Sequence, residues 1–361
     1  MKAAMLREVG KPLTIEDVSI DKPGPREVLI RTKACGVCHS DLHMIEGTYR
    51  YPLPTVLGHE AAGVVEAIGD EVHNCEVGDH VITCLNAFCG HCEYCISGHM
   101  SLCTDPDTKR AKGAPPRLSQ NGEPINQFIN LSAFAEQMLV HQNALVKVRK
   151  DMPLDRAALV GCGVTTGVGA VQNTARIQAG STVCVIGCGG VGLSAINGAA
   201  IAGAGRVIAV DMVGSKLNLA KEFGATDTIN AGEVENLPKY IKEITNGGVD
   251  YSFEAIGLKV AAEQCFKMLR PGGTATIIGM IPLGTNIELH GAEFLQERKI
   301  QGSMMGSNRF PIDMPRYVDF YMNGKLKLDE MISARIKLED VNEAFAEMKT
   351  GAVARSVIMF D

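Results

Sequence analysis

The chain has 361 residues, 46% hydrophobic and 21% charged, with a formal net charge of −6. This is globular composition of a length that suits two domains or slightly more, which excludes a disordered chain, and without a lysine- or arginine-rich block it offers no basic face to a nucleic acid. The apolar runs are too short and glycine-broken to span a bilayer and MKAAMLREVGKPLTIEDV lacks a signal-peptide core, so the expected location is cytoplasmic, where the 12 cysteines stay reduced and act as metal ligands or small core residues.

From residue 1 to about 150 the pattern is of short β-branched strands, such as 27–35, 61–69 and 79–85, separated by Gly, Asp and Pro. That suggests an all-β, barrel-like unit. The polar, Pro- and Gly-rich segment 104–130 reads as a long surface loop. Near residue 160 the texture changes. Buried strands at 181–187 and 206–211 alternate with helices at 189–204 and 216–225, and VDYSFEAIG, AAEQCFKMLRPGG and TATIIGM continue the alternation. Strand–helix alternation with apolar strands implies a parallel, doubly wound sheet. After about residue 300 the pattern breaks into two helices and a final strand, RSVIMFD.

The sharpest motif of the second half is Gly187-Cys188-Gly189-Gly190-Val191-Gly192. It follows a buried strand, opens a helix, and leads to a second strand ending at Asp211, which is the context a dinucleotide fingerprint requires. Gly187 permits the tight turn, Gly189 the approach of a pyrophosphate, and Gly192 close helix–strand packing, while the helix N-terminus offers free N–H groups. Asp211 suits the hydroxyls of an adenosine ribose and repels a 2′-phosphate, so NAD is expected over NADP.

Cys89, Cys92, Cys95 and Cys103 follow CxxCxxCx7C spacing. Four reduced thiols this close bind zinc as a closed tetrahedral site with no position for substrate, so the expected role is structural. A second group joins CGVCHSDLH (35–43) to LGHEAAG (57–63). Cys38 and His59 are zinc-ligand types, and Ser40, Asp41, His43 and Glu60 strengthen the group. A catalytic zinc needs a third protein ligand that spacing does not identify, and Cys162 is one candidate among several.

With these motifs in order, the sequence resembles the zinc-dependent medium-chain alcohol dehydrogenases from end to end. GHEAAGVVEAIGDEV (58–72) matches the family's zinc signature; VCHSDLH, VGDHV, the four-cysteine lobe, VGCGVTTG, GCGGVG with Asp211, LRPGG and ARSVIMF also fit. The resemblance implies an α/β protein: a GroES-like β-barrel catalytic domain (1–160 and 301–361, with a structural zinc lobe at 89–103) plus a Rossmann domain (161–300). It implies Cys38, His59 and Cys162 as catalytic zinc ligands, Glu60 behind the metal, and Asp41 orienting His59. Ser40 would take the alcohol proton and His43 would end a relay running through the nicotinamide ribose. His39 would lie near the pyrophosphate, Thr166 and Val191 at the nicotinamide, and Lys216 and Arg355 on the cofactor side.

The implied reaction is reversible oxidation of primary or secondary alcohols, with NAD and two zinc ions per chain. The implied partners are a small alcohol or aldehyde and a second copy of the chain, as a dimer. Leu85, Ala87, Ile281 and Met304 fall near the family's pocket positions, with Tyr49 and Tyr51 at the mouth. The glutathione-dependent formaldehyde dehydrogenases are a neighbouring branch, but their acidic loop is here EGTYRYPLPTVL, whose only acid is Glu46. Cys162 argues against polyol dehydrogenases, and the intact Cys38–His59–Cys162 set against a non-catalytic homologue.

Overall fold

The computed structural model describes residues 1–351 and 354–361. The chain divides into two compact units, one of residues 1–163, 309–324 and 328–361, the other of residues 164–308 and 325–327.

The first unit is mostly β. A seven-stranded sheet is built around Glu27–Gly36, which pairs with Glu60–Ile68, Gln137–His141 and Arg355–Met359. A six-stranded sheet includes Lys2–Leu6, Thr55–Val56 and Glu123–Gln127. Between them Leu6, Val28, Ile30, Phe128, Phe134 and Phe345 form a solvent-free core. The central strand is buried at most positions on both faces, in keeping with its run of Val, Leu, Ile and Ala.

The 104–130 segment is not the structureless loop its composition suggests. Its second half is a hairpin, Leu118–Gln120 against Glu123–Gln127, within the six-stranded sheet. The turn is Asn121-Gly122, both at positive φ (52° and 85°). An Asn-Gly pair is the residue choice that such a two-residue turn demands, and it outweighs the polar composition around it.

The second unit is a parallel sheet of six strands in the order Asp227–Asn230, Arg206–Asp211, Thr182–Ile186, Val249–Glu254, Leu269–Ile277, Lys299–Gly302. Its core gathers Ile186, Ile208, Val210, Ile241, Phe266 and Leu269. The chain winds outward in one direction from Thr182–Ile186 and in the other from Val249–Glu254. The carboxyl ends of these two strands therefore flank the crevice where doubly wound sheets hold ligands.

Residues 154–175 form a helical run, Leu154–Leu159 continuing through a π-turn at Val160–Val164, Thr165–Gly169 and a second π-turn at Ala170–Ala175. Its glycine-rich sequence shows no helical period; burial on packed neighbours overrides the weak intrinsic propensity. Among the described residues, no helix is long and apolar enough to cross a membrane.

Candidate functional site

Three strand-and-helix junctions of the first unit converge. Strand Glu27–Gly36 runs into Cys38, the residue that caps helix His39–Ile45. Strand Glu60–Ile68 pairs antiparallel with it, Gly36 opposite Glu60, which brings His59 beside Cys38. The π-turn carrying Cys162 packs closely on the same strand and its neighbour, a Cβ at Gly161 lying 3.3 Å from Ala61 N and 3.0 Å from the Thr83 carbonyl oxygen. The ligand atoms of Cys38, His59 and Cys162 consequently lie within 4.8 Å of one another, all buried.

This donor set fits a zinc ion. The His59 ring holds its Nδ1 3.2 Å from Asp41 Oδ1, while Nε2 is buried without a hydrogen-bond partner among the described residues. An imidazole that donates through Nδ1 to a carboxylate presents the lone pair of Nε2 to a metal. Asp41 is itself fixed, because Oδ1 also accepts the Gly58 N–H at 3.0 Å. The Cys162 thiol, hydrogen-bonded to Cys38, and the Arg355 guanidinium hold Cys38 well below the ordinary thiol value against the effect of burial. The same sharing pushes Cys162 up. Metal binding to such a thiol pair displaces its protons.

Behind the ligands, burial pushes Glu60 up to about 8, against the opposing charge of Arg355. Arg355 Nε lies 3.4 Å from Glu60 Oε1 and its Nη2 is 3.8 Å from Cys38 Sγ. Arg355 thus stands, 5% exposed, in the first unit against Glu60 and Cys38. Ser40 lies 3.8 Å from Cys38 Sγ. His43 follows one turn later, with Nδ1 buried, and burial lowers its pKa from 6.5. His39 is exposed at the start of the same helix, its ring 5.3 Å from that of His43.

The four clustered thiols form a second metal-sized group. Cys89, Cys92, Cys95 and Cys103 have their sulfurs within 4.8 Å of one another. Backbone N–H groups of His91 and Cys92 point at Cys89 Sγ (3.4 and 3.2 Å), and that of Cys89 at Cys103 Sγ (3.4 Å). Such donors stabilise thiolate charge, as a four-cysteine zinc site requires. The His91 ring turns outward to Asp107 and that of His99 to Ser97.

In the second unit the Gly187–Gly192 turn has the form of a phosphate cradle. Gly187 has φ of 100°, a Cβ on Gly192 would strike the Gly187 carbonyl oxygen at 1.7 Å, and a Cβ on Gly189 would meet nothing within 4 Å. Helix Gly190–Ile201 starts there with no side-chain cap, leaving the N–H groups of its first turn, with Gly190 and Val191, for an anion. Asp211 accepts the N–H of Cys188 (2.8 Å) and of Val213 (3.0 Å), so its carboxylate is fixed at the strand end. Lys216 lies in the following helix, Gly214–Glu222. The Thr166 hydroxyl donates to Met305 Sδ at 3.2 Å.

One residue of this region escaped the sequence reading. Glu254, wholly buried at the end of its strand, accepts the N–H groups of Ile256, Gly257 and Leu258 (2.9, 2.7 and 3.3 Å) and so holds the loop that packs on Gly187. A carboxylate ending a strand of the parallel sheet was the available signal.

Barrel, doubly wound sheet, buried Cys₂His group and four-thiolate lobe together define a metal- and dinucleotide-binding oxidoreductase. Residues 24–150 match the alcohol dehydrogenase GroES-like domain and residues 190–322 the zinc-binding dehydrogenase domain. The chain is 37% identical to alcohol dehydrogenase class-3 of Oryza sativa subsp. japonica, over 100% of this chain and 97% of that protein. It is 37% identical to a Schizosaccharomyces pombe protein named "Probable S-(hydroxymethyl)glutathione dehydrogenase 1", over 99% and 96% of the two. The crystal structure of benzyl alcohol dehydrogenase from Acinetobacter calcoaceticus superimposes with a TM-score of 0.94 at 33% identity, covering 100% of this chain and 99% of that one. The chain belongs to the zinc-dependent medium-chain alcohol dehydrogenase family. Members of that family typically work with NAD and carry a catalytic and a structural zinc, and the two clusters described above suit that pair.

Proposed function

We propose that this protein oxidises primary and secondary alcohols with hydrophobic chains or rings to aldehydes and ketones, reversibly, with NAD. The supporting observation is the buried Cys38–His59–Cys162 group with His59 held on Asp41. Bound in these sites, zinc supplies the Lewis acidity that acidifies an alcohol and NAD supplies the hydride acceptor. Ser40, beside Cys38, takes the alcohol proton, and His43, whose pKa burial lowers, receives it one turn further along the helix. Asp41 holds the His59 ring, and Arg355, which stands against Glu60, offsets the negative charge of Cys38. Asp211, with its carboxylate fixed by two backbone N–H groups, favours the 2′-hydroxyl of NAD over a 2′-phosphate.

The names of the curated relatives favour a second reading, dehydrogenation of a glutathione adduct. Against it, Glu46 is the only acid in the loop preceding His59, and it is paired with Lys349 at 2.7 Å. Tyr49 and Tyr51 occupy that loop instead, Tyr49 against His43 and Tyr51 against Phe128. NADH formation across linear, branched, benzylic and cyclic alcohols, and with formaldehyde plus glutathione, tests the choice. Turnover of hydrophobic and benzylic alcohols is expected; activity confined to formaldehyde plus glutathione would reverse the assignment.

The same reading includes a homodimer in the cytoplasm. Strand Lys299–Gly302 ends the sheet of the second unit, and Leu283, Leu295 and Met304 of that unit are 76%, 89% and 50% exposed. An open strand edge with such neighbours is suited to pairing with a second copy. Light scattering on the purified protein checks this, with twice the 38.6 kDa chain mass expected.

A further inference from the structure

In the second unit, three successive residues have left-handed backbone: Met305 (φ 49°), Gly306 (φ 69°) and Ser307 (φ 46°). Only glycine adopts this conformation freely, so two of the three are strained and persist only if their surroundings enforce the shape. Those surroundings belong to the helical run that carries Thr166. Gly306 sits so close to it that a Cβ would lie 2.3 Å from the Thr165 carbonyl oxygen and 2.9 Å from that of Thr166. Gly169 is equally obligatory, since a Cβ there would meet the Gly306 carbonyl oxygen at 2.5 Å. Asn173 Nδ2 donates to Gly306 O at 3.4 Å. The centre of the arrangement is the Thr174 hydroxyl, 2.8 Å from Ser303 Oγ and 2.7 Å from Ser307 Oγ. With a hydrogen bond to each serine hydroxyl, it clamps both ends of the strained turn. The turn in its clamped form places Met305 Sδ as acceptor for the Thr166 hydroxyl at 3.2 Å.

We propose that Thr174 is a positioning residue for the nicotinamide end of the dinucleotide: its hydroxyl, bridging Ser303 and Ser307, holds the 305–307 turn in the strained shape that orients Thr166. This rests on the reading of Gly187–Gly192 as the pyrophosphate cradle and Thr166 as a nicotinamide contact. Thr174 touches no reacting atom and acts only through the turn. Without the clamp, Met305 and Ser307 relax towards ordinary backbone and Thr166 loses its fixed rotamer. The adenosine side, built on Gly187–Gly192 and Asp211, does not depend on the turn.

The test compares NADH with ADP-ribose, which lacks the nicotinamide, by titration calorimetry against wild type, Thr174→Val, Thr174→Ser and Ser303→Ala. The expected result for Thr174→Val is an NADH Kd raised about fivefold, the size of one lost net hydrogen bond, with the ADP-ribose Kd unchanged. Thr174→Ser, which keeps the hydroxyl, restores the wild-type NADH Kd. Ser303→Ala removes one arm of the clamp and moves the NADH Kd in the same direction, so the question stands even if Thr174→Val does not fold. An NADH Kd unchanged in Thr174→Val and Ser303→Ala, or a parallel weakening of NADH and ADP-ribose, overturns the proposal while leaving the dinucleotide reading intact. Wild-type protein that binds neither ligand overturns both.

Discussion

Asp41 Oδ1 stands 3.2 Å from His59 Nδ1, and both side chains are wholly shielded from solvent. A carboxylate in that position fixes the ring and its tautomer, and raises the basicity of the nitrogen left for a metal. Asp41→Ala is therefore expected to weaken zinc binding by about 10- to 100-fold, measured by chelator competition, with alcohol oxidation falling alongside. Zinc affinity within twofold of wild type would remove Asp41 from this role.

Replacement of the ligands themselves has a sharper signature. Cys38→Ser and His59→Ala are each expected to abolish turnover, while NADH titration still shows binding, because the glycine-rich turn and Asp211 belong to the second unit. Near-normal alcohol oxidation in either variant would mean that the reaction runs elsewhere.

Asp211 governs the choice of cofactor. Asp211→Gly removes the charge that repels a 2′-phosphate and is expected to shift the NADP/NAD ratio of kcat/KM by about tenfold or more, given that a juxtaposed like charge costs several kcal/mol. The substitution also frees the Cys188 and Val213 N–H groups, so some loss of affinity for both cofactors accompanies the shift. An unchanged ratio would count against the ribose contact.

The four-thiolate lobe predicts separation of stability from chemistry. The Cys95 backbone N–H draws Cys92 down to about 7. Cys92→Ser is expected to reduce zinc from about two ions per chain to about one and to lower the melting temperature before activity. A variant with unchanged stability and lost turnover would exchange the roles of the two clusters.

Acid sensitivity should come from an ionic network on the barrel. Glu27 is 5% exposed and lies against Arg110 and Arg117. Burial raises its pKa, but the Arg110 hydrogen bonds and the Arg117 charge outweigh it and take the carboxyl from 4.5 to about 2. This depressed value stabilises the fold fully above pH 4.5, and the contribution is lost as pH falls towards 2. His141 is lowered from 6.5 to about 4, first by burial and then by the charges of Arg26 and Arg117. Its contribution is complete above pH 6.5 and is lost on the way to 4. Denaturant melts of Glu27→Gln should show about 3 kcal/mol lost at neutral pH, as when one partner leaves a buried ion pair, with the deficit shrinking below pH 4.5. His141→Gln should instead flatten the stability profile between pH 6.5 and 4. Parallel profiles for variant and wild type would exclude either group.

Much of the molecule was legible because its signals are local. The strands at 27–35 and 206–211 announce themselves by β-branched runs, and Gly187–Gly192 by a turn that must be glycine. The 118–127 hairpin was equally local but lay hidden in polar composition, although its Asn-Gly turn carried the signal. The helical run through Cys162 was not legible, because its conformation comes from packing on neighbours and not from its own periodicity.

By itself the sequence determined the chemistry on offer: thiols spaced for a closed zinc site, a glycine turn followed by a strand that ends at Asp211, and the strand–helix alternation of a doubly wound sheet. Only the tertiary structure decided which distant groups share a site. Cys162 joins Cys38 and His59 because a π-turn packs closely on the Glu60–Ile68 strand at Gly161. Arg355 reaches Glu60 and Cys38 because the strand Arg355–Met359 returns to pair with Glu27–Gly36. Thr174 meets Ser303 and Ser307 across about 130 residues of chain because its helical run packs closely on the 305–307 turn. Ligand and positioning sets are relations between side chains fixed by backbone pairing and close packing, and no spacing along one segment encodes them.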